Sequence, residues 1–249
     1  MKEHLPYILH LADNALIIGH RNSEWCGHGP VLEQDIAITN IALDHIGQAR
    51  NFYQYAALLK ADGSTEDSLA YLRTEREFRN CLLVEQRNGD WAQTVLRQFF
   101  FSNYQSLLYT ALEQSGDKQI AAISSKALKE ITYHLRWSSE WVIRLGDGTD
   151  ESHNRMLQAI NELWPYTGEL FMPADFETRA RIDNVVTDIT VLKDPWENKL
   201  KEVFDEAGLP VPAPGFSQTG GKQGTHTEYM GYILAELQYM QRTYPQSQW

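Results

Sequence analysis

The stretch "KALKEITYHLRW" (residues 126–137) places an acid and a histidine on the apolar face of a predicted helix. With one turn added on each side, the residues that share this face are Ile123, Ala127, Glu130, His134, Trp137 and Trp141. Most of them are apolar, so we expect Glu130 and His134 to lie in a buried seam. Tyr133 and His134 are alternative occupants of the position that a metal-binding histidine would take.

Helical periodicity continues over almost the whole chain of 249 residues. It predicts helices near residues 5–20, 30–60, 66–86, 90–115, 117–146, 151–171, 189–207 and 225–243, with a loop and a short helix at 172–188. The segment "NVVTDITVL" (184–192) fits a strand as well as a helix. Long helices with short connections predict an all-α fold, an up-down helix bundle with additional C-terminal helices, in a single domain over residues 1–249.

Composition narrows the classes of function. A net charge of −11 disfavours non-specific binding to nucleic acid or to anionic membranes. Cys26 and Cys81 match no metal-type spacing and favour two reduced thiols. The N-terminal segment carries Asp13 and histidines within its apolar part, which is untypical of a signal peptide. No run of 18 apolar residues predicts a membrane span, so we expect a cytoplasmic protein.

The stretch "IALDHIGQAR" (residues 41–50) resembles part of a metal site without its histidine. Asp44 supplies a carboxylate, but Gly47 stands three residues later, and His45 points about a quarter-turn away. A line of polar residues runs along this helix at helical spacing: Asn40, Asp44, Gln48 and Asn51. This line is either the solvent face of the helix or an internal seam, and the wide apolar arc of the remaining residues favours the seam.

The fourth predicted helix argues against a two-metal site. Residues 91–112 contain no Asp or Glu, although a di-iron carboxylate bundle takes carboxylates from all four of its helices. The remaining candidate ligands are Asp44, Glu130, Asp13 and one histidine. Such a set is too small for two irons, which need several carboxylate oxygens.

Two segments are candidates for contact with a substrate or a partner. In "YLRTEREFRN" (71–80), basic residues surround an aromatic, and we expect part of the stretch Glu75, Arg76, Glu77 and Phe78 to contact a substrate or a partner. The alternative is a solvated, salt-bridged surface, which such charge patterns more often form. Lys222 lies in "TGGKQGTH" (219–226), a predicted flexible loop, and is a second basic candidate.

Four stretches together resemble the ferritin-like subunits of the multicomponent phenylacetyl-CoA epoxidases, and the similarity covers nearly the whole chain. They are "LADNALIIGHRNSEWCGHGPVLEQDIAITNIALDHIGQARNFYQYAA", "LLVEQRNGDWAQTVLRQFF", "KALKEITYHLRW" and "TGGKQGTHTEYMGYILAELQYMQRTYP". The resemblance implies a ferritin-like fold and a role in aerobic phenylacetate degradation. It also implies that a related catalytic subunit of the same complex holds the di-iron centre and performs the oxygen chemistry.

By this resemblance the chain is a non-catalytic subunit without a cofactor, which supports the catalytic subunit in a hetero-oligomer and helps to present the thioester phenylacetyl-CoA. A further small subunit of the complex and a reductase are the other implied partners, and a homodimer is expected of the isolated chain as an alternative. Asp44 with Gly47 resembles one former Glu-x-x-His position, and Glu130 with Tyr133 and His134 the other. We expect a polar network there in place of metal, with partners from Lys126, Lys129 or Arg50.

Two other hypotheses stay open at this point. The chain could be a divergent di-iron oxygenase in its own right, using Asp44, Glu130, His134 and a carboxylate such as Glu33 or Asp35. It could also be a free-standing helical scaffold or CoA-binding module with a different partner. Co-expression with a ferritin-like protein that retains two Glu-x-x-His motifs would separate these hypotheses.

Overall fold

The computed structural model of the protein describes residues 2–213, 215–245 and 247. Within these residues the regular structure is helical and no strand occurs, which confirms the predicted all-α fold. The α-helices are α1 (Leu5–Ser23), α2 (Leu32–Lys60), α3 (Glu66–Tyr71), α4 (Leu82–Glu85), α5 (Trp91–Leu112), α6 (Lys118–Gly146), α7 (Asp150–Leu163), α8 (Asp175–Ile182), α9 (Lys193–Glu206), α10 (Glu228–Leu237) and α11 (Tyr239–Thr243).

The chain divides into two compact units. The first comprises residues 1–85 and 220–249, and the second comprises residues 86–219. Each is built on a pair of long, neighbouring helices joined by a short connection, the element from which ferritin-like up-down bundles are made. The expectation of a single domain over residues 1–249 stays a prediction.

The first unit is built on the hairpin of α1 and α2. Most of helix α1 is buried, including the apolar side chains of Ile8, Leu11, Ile17 and Ile18. Helix α2 ends at Ala61, whose left-handed backbone (φ 53°) stops the helix. The shorter helices α3, α4, α10 and α11 complete this unit.

The second unit is built on the hairpin of α5 and α6, against which α7 and α9 pack. Aspartates fix the starts of both long helices. Asp90 accepts a hydrogen bond from the Gln93 N–H at 3.0 Å, and Asp117 accepts from the Gln119 N–H at 2.9 Å. The core is strongly aromatic, and Trp196 packs on Phe100 with ring centroids 5.7 Å apart.

Most of the long predicted helices match the structure within a few residues, but three predictions were wrong in detail. Residues 151–171 form α7 only as far as Leu163, because Pro165 lies in the first of two 3₁₀ turns that follow. Residues 184–192 form neither a strand nor an α-helix, and Ile189–Leu192 is a 3₁₀ turn that leads into α9. The largest difference is at residues 66–86, where the single predicted helix is broken twice.

Candidate functional site

Gly47 lies on the exposed face of α2, and a Cβ atom added there would meet nothing within 4 Å. Leu43 and Ile46 are exposed on the same side of the helix. A histidine at position 47 would therefore extend into open space in this chain. The assignment of Gly47 to a former metal-binding position stays a prediction, but the structure does not place residue 47 in a buried seam.

The buried polar residues of α2 are His45 and Gln48, and Gln48 belongs to the predicted polar line. His45, which the sequence placed away from any site, faces α1, because its Cβ would lie 3.1 Å from a Cβ added at Gly19. Asp44 is half-buried and Asn40 is exposed. The expected internal seam is thus wrong for Asn40 and correct for Gln48.

Helix α6 carries the other half of the predicted site. His134 is fully buried, whereas Tyr133 is 37% exposed, so His134 and not Tyr133 faces the core. Glu130 is half-buried. Burial raises the pKa of Tyr109 on α5, and the charge of Glu130 raises that pKa further, which places the Glu130 carboxylate near α5. Glu130 and His134 therefore share a side of α6.

Asp44 with Gly47 belongs to the first unit, and Glu130 with His134 belongs to the second. Their assembly into one polar network stays a prediction. Of the expected network partners, Arg50 forms an ion pair with Glu66 at 3.6 Å, and Lys126 and Lys129 are exposed.

Asp13 is the one buried carboxylate of α1, α2, α5 and α6, all of whose residues the structure describes. The Arg73 guanidinium forms a bidentate ion pair with it, one N–O distance being 3.1 Å. The Tyr53 hydroxyl donates to it at 2.6 Å, and the Arg79 N–H donates at 2.8 Å. Burial, followed by the charge of Asp13, raises the pKa of Tyr53 well above its ordinary value, so this hydroxyl stays a donor.

This cluster explains why residues 66–86 are not one helix. Asn14 accepts from the Cys81 N–H at 2.8 Å, and the His10 Nδ1 atom lies 2.6 Å from the Arg79 carbonyl oxygen. Side chains of α1 thus satisfy backbone groups that a helix would have satisfied internally. The sequence signal was present in the polar residues of α1, but their partners are more than 60 residues away.

The predicted contact segment 75–78 divides into two parts. Glu75, Arg76 and Glu77 form an exposed 3₁₀ turn, capped by Thr74, whose backbone N–H donates to the Glu77 carboxylate at 2.7 Å. Phe78 is fully buried, and the Arg73 guanidinium lies 4.1 Å from its ring centroid. Contact of this segment with substrate or partner stays a prediction, but Phe78 packs in the core.

Lys222 is 2% exposed, so the predicted flexible loop is wrong for this residue. It lies in a 3₁₀ turn, Gly221–Gln223, that packs on the segment before α4. A Cβ atom at Gly221 would overlap the Asn80 carbonyl oxygen, and one at Gly224 (φ 82°) would overlap the Arg76 carbonyl oxygen. The close approach of two backbones therefore requires glycine here and fixes the turn.

A buried ion pair follows directly after this turn. Glu85 accepts hydrogen bonds from His226 Nδ1 at 2.7 Å and from the Thr227 N–H at 2.6 Å, and both side chains of the ion pair are fully buried. Burial lowers the pKa of His226, but the hydrogen bond and charge of Glu85 outweigh it, so the pKa lies above its ordinary value. Sequence reasoning missed this pair, which fastens α10 to α4.

The candidate ligands named from the sequence do not make up the donor set of a di-iron centre. Such a centre takes four carboxylates and two histidines from four helices. Asp13 is fully engaged by Arg73, Tyr53 and a backbone N–H, and α5 supplies no acid at all. Asp44, Glu130 and His134 remain, three donors divided over both units.

Glu33 and Asp35, the further carboxylates considered as metal ligands, do not lie in a metal site within the described part of the chain either. Glu33 is exposed, and Asp35 accepts a hydrogen bond from the Gly29 N–H at 2.9 Å. The backbone N–H groups of Gly29 and Gly27 lower the pKa of Asp35, as expected for a loop-capping carboxylate. Asp35 thus fixes the connection between α1 and α2.

Among the described residues, one group of three metal-type donors lies close together: His20, Glu24 and Glu236. The His20 Nε2 atom is 3.8 Å from an oxygen of each carboxylate, and burial is the main cause that lowers its pKa. Glu24 already accepts from Arg21 at 3.0 Å. The group includes none of the predicted ligands and has too few carboxylates for two irons.

The geometry can be compared with known proteins. A family model described as "Phenylacetic acid catabolic protein" matches residues 1–249. The chain belongs to this family. One similar protein is the C subunit of the 1,2-phenylacetyl-CoA epoxidase of Escherichia coli (strain K12). It is 48% identical over 249 residues, which span 100% of both chains, so the relationship covers both compact units.

Two further expectations concern the chain as a whole. Cys26 is exposed and Cys81 is buried, and both are free thiols, which agrees with the predicted absence of a disulfide between them. No helix among the described residues is long and apolar enough to cross a bilayer.

Proposed function

We propose that the chain is the non-catalytic subunit of a 1,2-phenylacetyl-CoA epoxidase, corresponding to its E. coli relative. In this proposal a related catalytic subunit holds the di-iron centre, and this chain supports it and helps to present phenylacetyl-CoA. A further small subunit of the complex and a reductase complete the system, which operates in the cytoplasm. The full-length identity of 48% to the E. coli protein supports the assignment to this complex.

The single observation that carries the non-catalytic part is the state of Asp13. A bridging metal ligand must offer free carboxylate oxygens, but both oxygens of Asp13 are bound by protein donors. Turning Asp13 towards a metal ion would leave the buried Arg73 cation without its partner, which is costly. This carboxylate therefore serves the fold of the first unit and is withdrawn from metal chemistry.

The test is co-expression with a ferritin-like partner that retains two Glu-x-x-His motifs. The expected result is that the pair co-purifies and that, after separation, elemental analysis finds iron with the partner alone. The same partner with both motif histidines replaced by Ala is the control for iron. We expect this control complex to assemble without iron, because this chain contributes structure and not ligands.

Two results would contradict the proposal. One is about two irons bound to this chain after aerobic iron loading in isolation, the stoichiometry of a di-iron bundle. The other is failure of the two chains to associate although each is folded by circular dichroism. The second outcome would favour the free-standing scaffold or CoA-binding module.

A further inference from the structure

A cleft of about 680 Å³ opens in the second unit, between α9 and a facing wall formed by residues 209–212 and 215–217. Cavities of this size are typical of small-molecule sites. Its floor is aromatic, since Phe171 and Trp164 flank Trp196 with ring centroids 5.4 and 6.2 Å from the Trp196 ring. Trp196 is held by a hydrogen bond of 3.0 Å from its indole N–H to the Phe100 carbonyl oxygen. The floor is therefore rigid.

The facing wall is anchored at both ends. At one end the Leu209 N–H donates to the Phe204 carbonyl oxygen at 2.9 Å, and just beyond the other end the Gln218 N–H donates to the Pro165 carbonyl oxygen at 2.7 Å. Pro210 and Pro212 restrict the backbone of the first part of the wall. These anchors lower the entropy that is lost when a ligand binds.

Gly168 shows how closely the wall approaches the floor. A Cβ atom at this position would overlap the Ser217 Oγ atom. Any larger residue at 168 would push the wall out of place, so glycine maintains the shape of the cleft at its base.

Phe216 stands at the mouth of the cleft with 79% of its surface exposed. Aromatic side chains are enriched at binding interfaces relative to the rest of a protein surface. Phe216 and the half-buried Trp164 both line the cleft, which gives two aromatic surfaces for a flat ring.

One cation at the rim is available to a ligand. Lys193 pairs with Glu197 at 3.6 Å, whereas Lys201 makes no ion pair with any residue that the structure describes. Asp205 also lines the rim, so the rim carries no excess of positive charge. This pattern suits a ligand with a compact anionic group better than one with a long chain of phosphates.

We propose that this cleft binds a planar aromatic molecule that carries an anionic group, with the ring against Trp164 and Phe216 and the anion at Lys201. Two kinds of ligand have this combination of a planar ring and an anionic group: an aromatic carboxylate, and a nucleotide with its base and phosphate. The proposal does not depend on the proposed function, because the cleft lies within the second unit and needs neither iron nor a partner chain.

The experiment is calorimetric titration of the full-length chain with two probes, phenylacetate and adenosine 3′,5′-bisphosphate. The expected result is saturable binding of one of them with a dissociation constant of about 1 mM or tighter. Quenching of tryptophan fluorescence should follow the same curve, since two Trp side chains line the cleft. Binding of phenylacetate identifies an aromatic acid as the ligand, and binding of the bisphosphate alone identifies a nucleotide.

Variants assign the binding to this cleft. Lys201→Ala is expected to weaken it about tenfold, the effect of losing one charge-assisted hydrogen bond, and Phe216→Ala should weaken it by a similar factor. Lys199→Ala is the matched control, because Lys199 lies on the same helix, pairs with Glu202 at 2.7 Å and does not line the cleft.

Circular dichroism and thermal melting check that these variants remain folded, which their exposed positions favour. The proposal is overturned if neither probe binds at about 1 mM, or if Lys201→Ala and Lys199→Ala change the affinity equally. It is also overturned if the probe that binds does so to the Phe216→Ala variant as tightly as to the native chain.

Discussion

Arg73 and Asp13 form a buried ion pair that joins the centre of α1 to a non-helical segment 60 residues farther along the chain. The pair is completed by the Tyr53 hydroxyl on α2, which lies 3.0 Å from Arg73. Three elements of the first unit therefore meet at one carboxylate. In a di-iron bundle, a carboxylate at this depth would be an obvious metal ligand, whereas here it organises the protein itself.

Replacement of Asp13 by Asn should destabilise the fold strongly. It leaves the Arg73 guanidinium buried without its counter-ion, which costs about 3–5 kcal/mol in the free energy of unfolding. Urea denaturation measures this loss. Glu33→Gln is the control, because Glu33 is exposed on α2 and its change should stay within about 0.5 kcal/mol. A loss in Asp13→Asn no larger than in this control would show that the ion pair does not hold the unit together.

The pair of His226 and Glu85 should make part of the stability depend on pH. The pKa of His226 is raised in the folded state, so its contribution is fully present below the unfolded value of about 6.5. As the pH rises through the raised folded pKa, the imidazolium loses its proton and the contribution is lost. The native chain should thus lose stability relative to His226→Gln as the pH rises from about 6.5 through this raised pKa.

The measurement is the free energy of unfolding of both proteins over that pH range. At the acid end, His226→Gln should be less stable by about 1.5–3 kcal/mol, the value of a hydrogen bond to a charged group. Hydrogen exchange of residues 221–237 should report the same trend locally, because the pair fastens α10. A difference between the two proteins that is constant with pH would contradict the assigned protonation.

The two halves of the segment 75–78 should respond differently to substitution. Phe78→Ala removes a fully buried aromatic and should cost about 3–5 kcal/mol in the free energy of unfolding. Arg76→Ala lies on the exposed turn and should change it by less than about 0.5 kcal/mol. If Arg76 contacts a partner, its variant should instead weaken association in the co-purification test. Equal losses of stability in both variants would show that the turn is part of the core.

The long helices could be predicted from the sequence because their signals are local. Periodic apolar residues and capping residues such as Asp90 and Asp117 determine α5 and α6 without reference to the rest of the chain. The absence of acids from α5 is also visible in the sequence alone. These features were enough for the fold class and for doubt about a metal centre.

The rest depended on contacts between distant residues. Helical propensity alone extends a helix over residues 66–86, but Asp13 and Asn14 bind the backbone there in a non-helical form. Likewise, no local pattern tells that Lys222 is buried, since this follows from glycines that pack on a segment over 130 residues earlier. The sequence alone also does not determine which face of α2 packs against the rest of the protein, because that helix is apolar on more than one side.

Gly47 gives the sharpest test of the placement of α2. A glycine within a helix costs about 0.5–1 kcal/mol relative to Ala, and a Cβ at position 47 meets nothing within 4 Å. Gly47→Ala should therefore raise the free energy of unfolding of the isolated chain by about 0.5–1 kcal/mol. Gly19→Ala is the control, because its Cβ would lie 3.1 Å from the Cβ of His45 and 3.3 Å from the Ala42 carbonyl oxygen, so it should gain less or lose stability.

Gly47→His extends the same test to the metal question. Because position 47 faces open space, a histidine there should not create iron binding in the isolated chain, and elemental analysis should find no more iron than in Gly47→Ala. Destabilisation by Gly47→Ala would show that residue 47 is packed against protein. Iron bound by Gly47→His, about one or two ions per chain, would show in addition that Asp44 and this position still form part of a metal site.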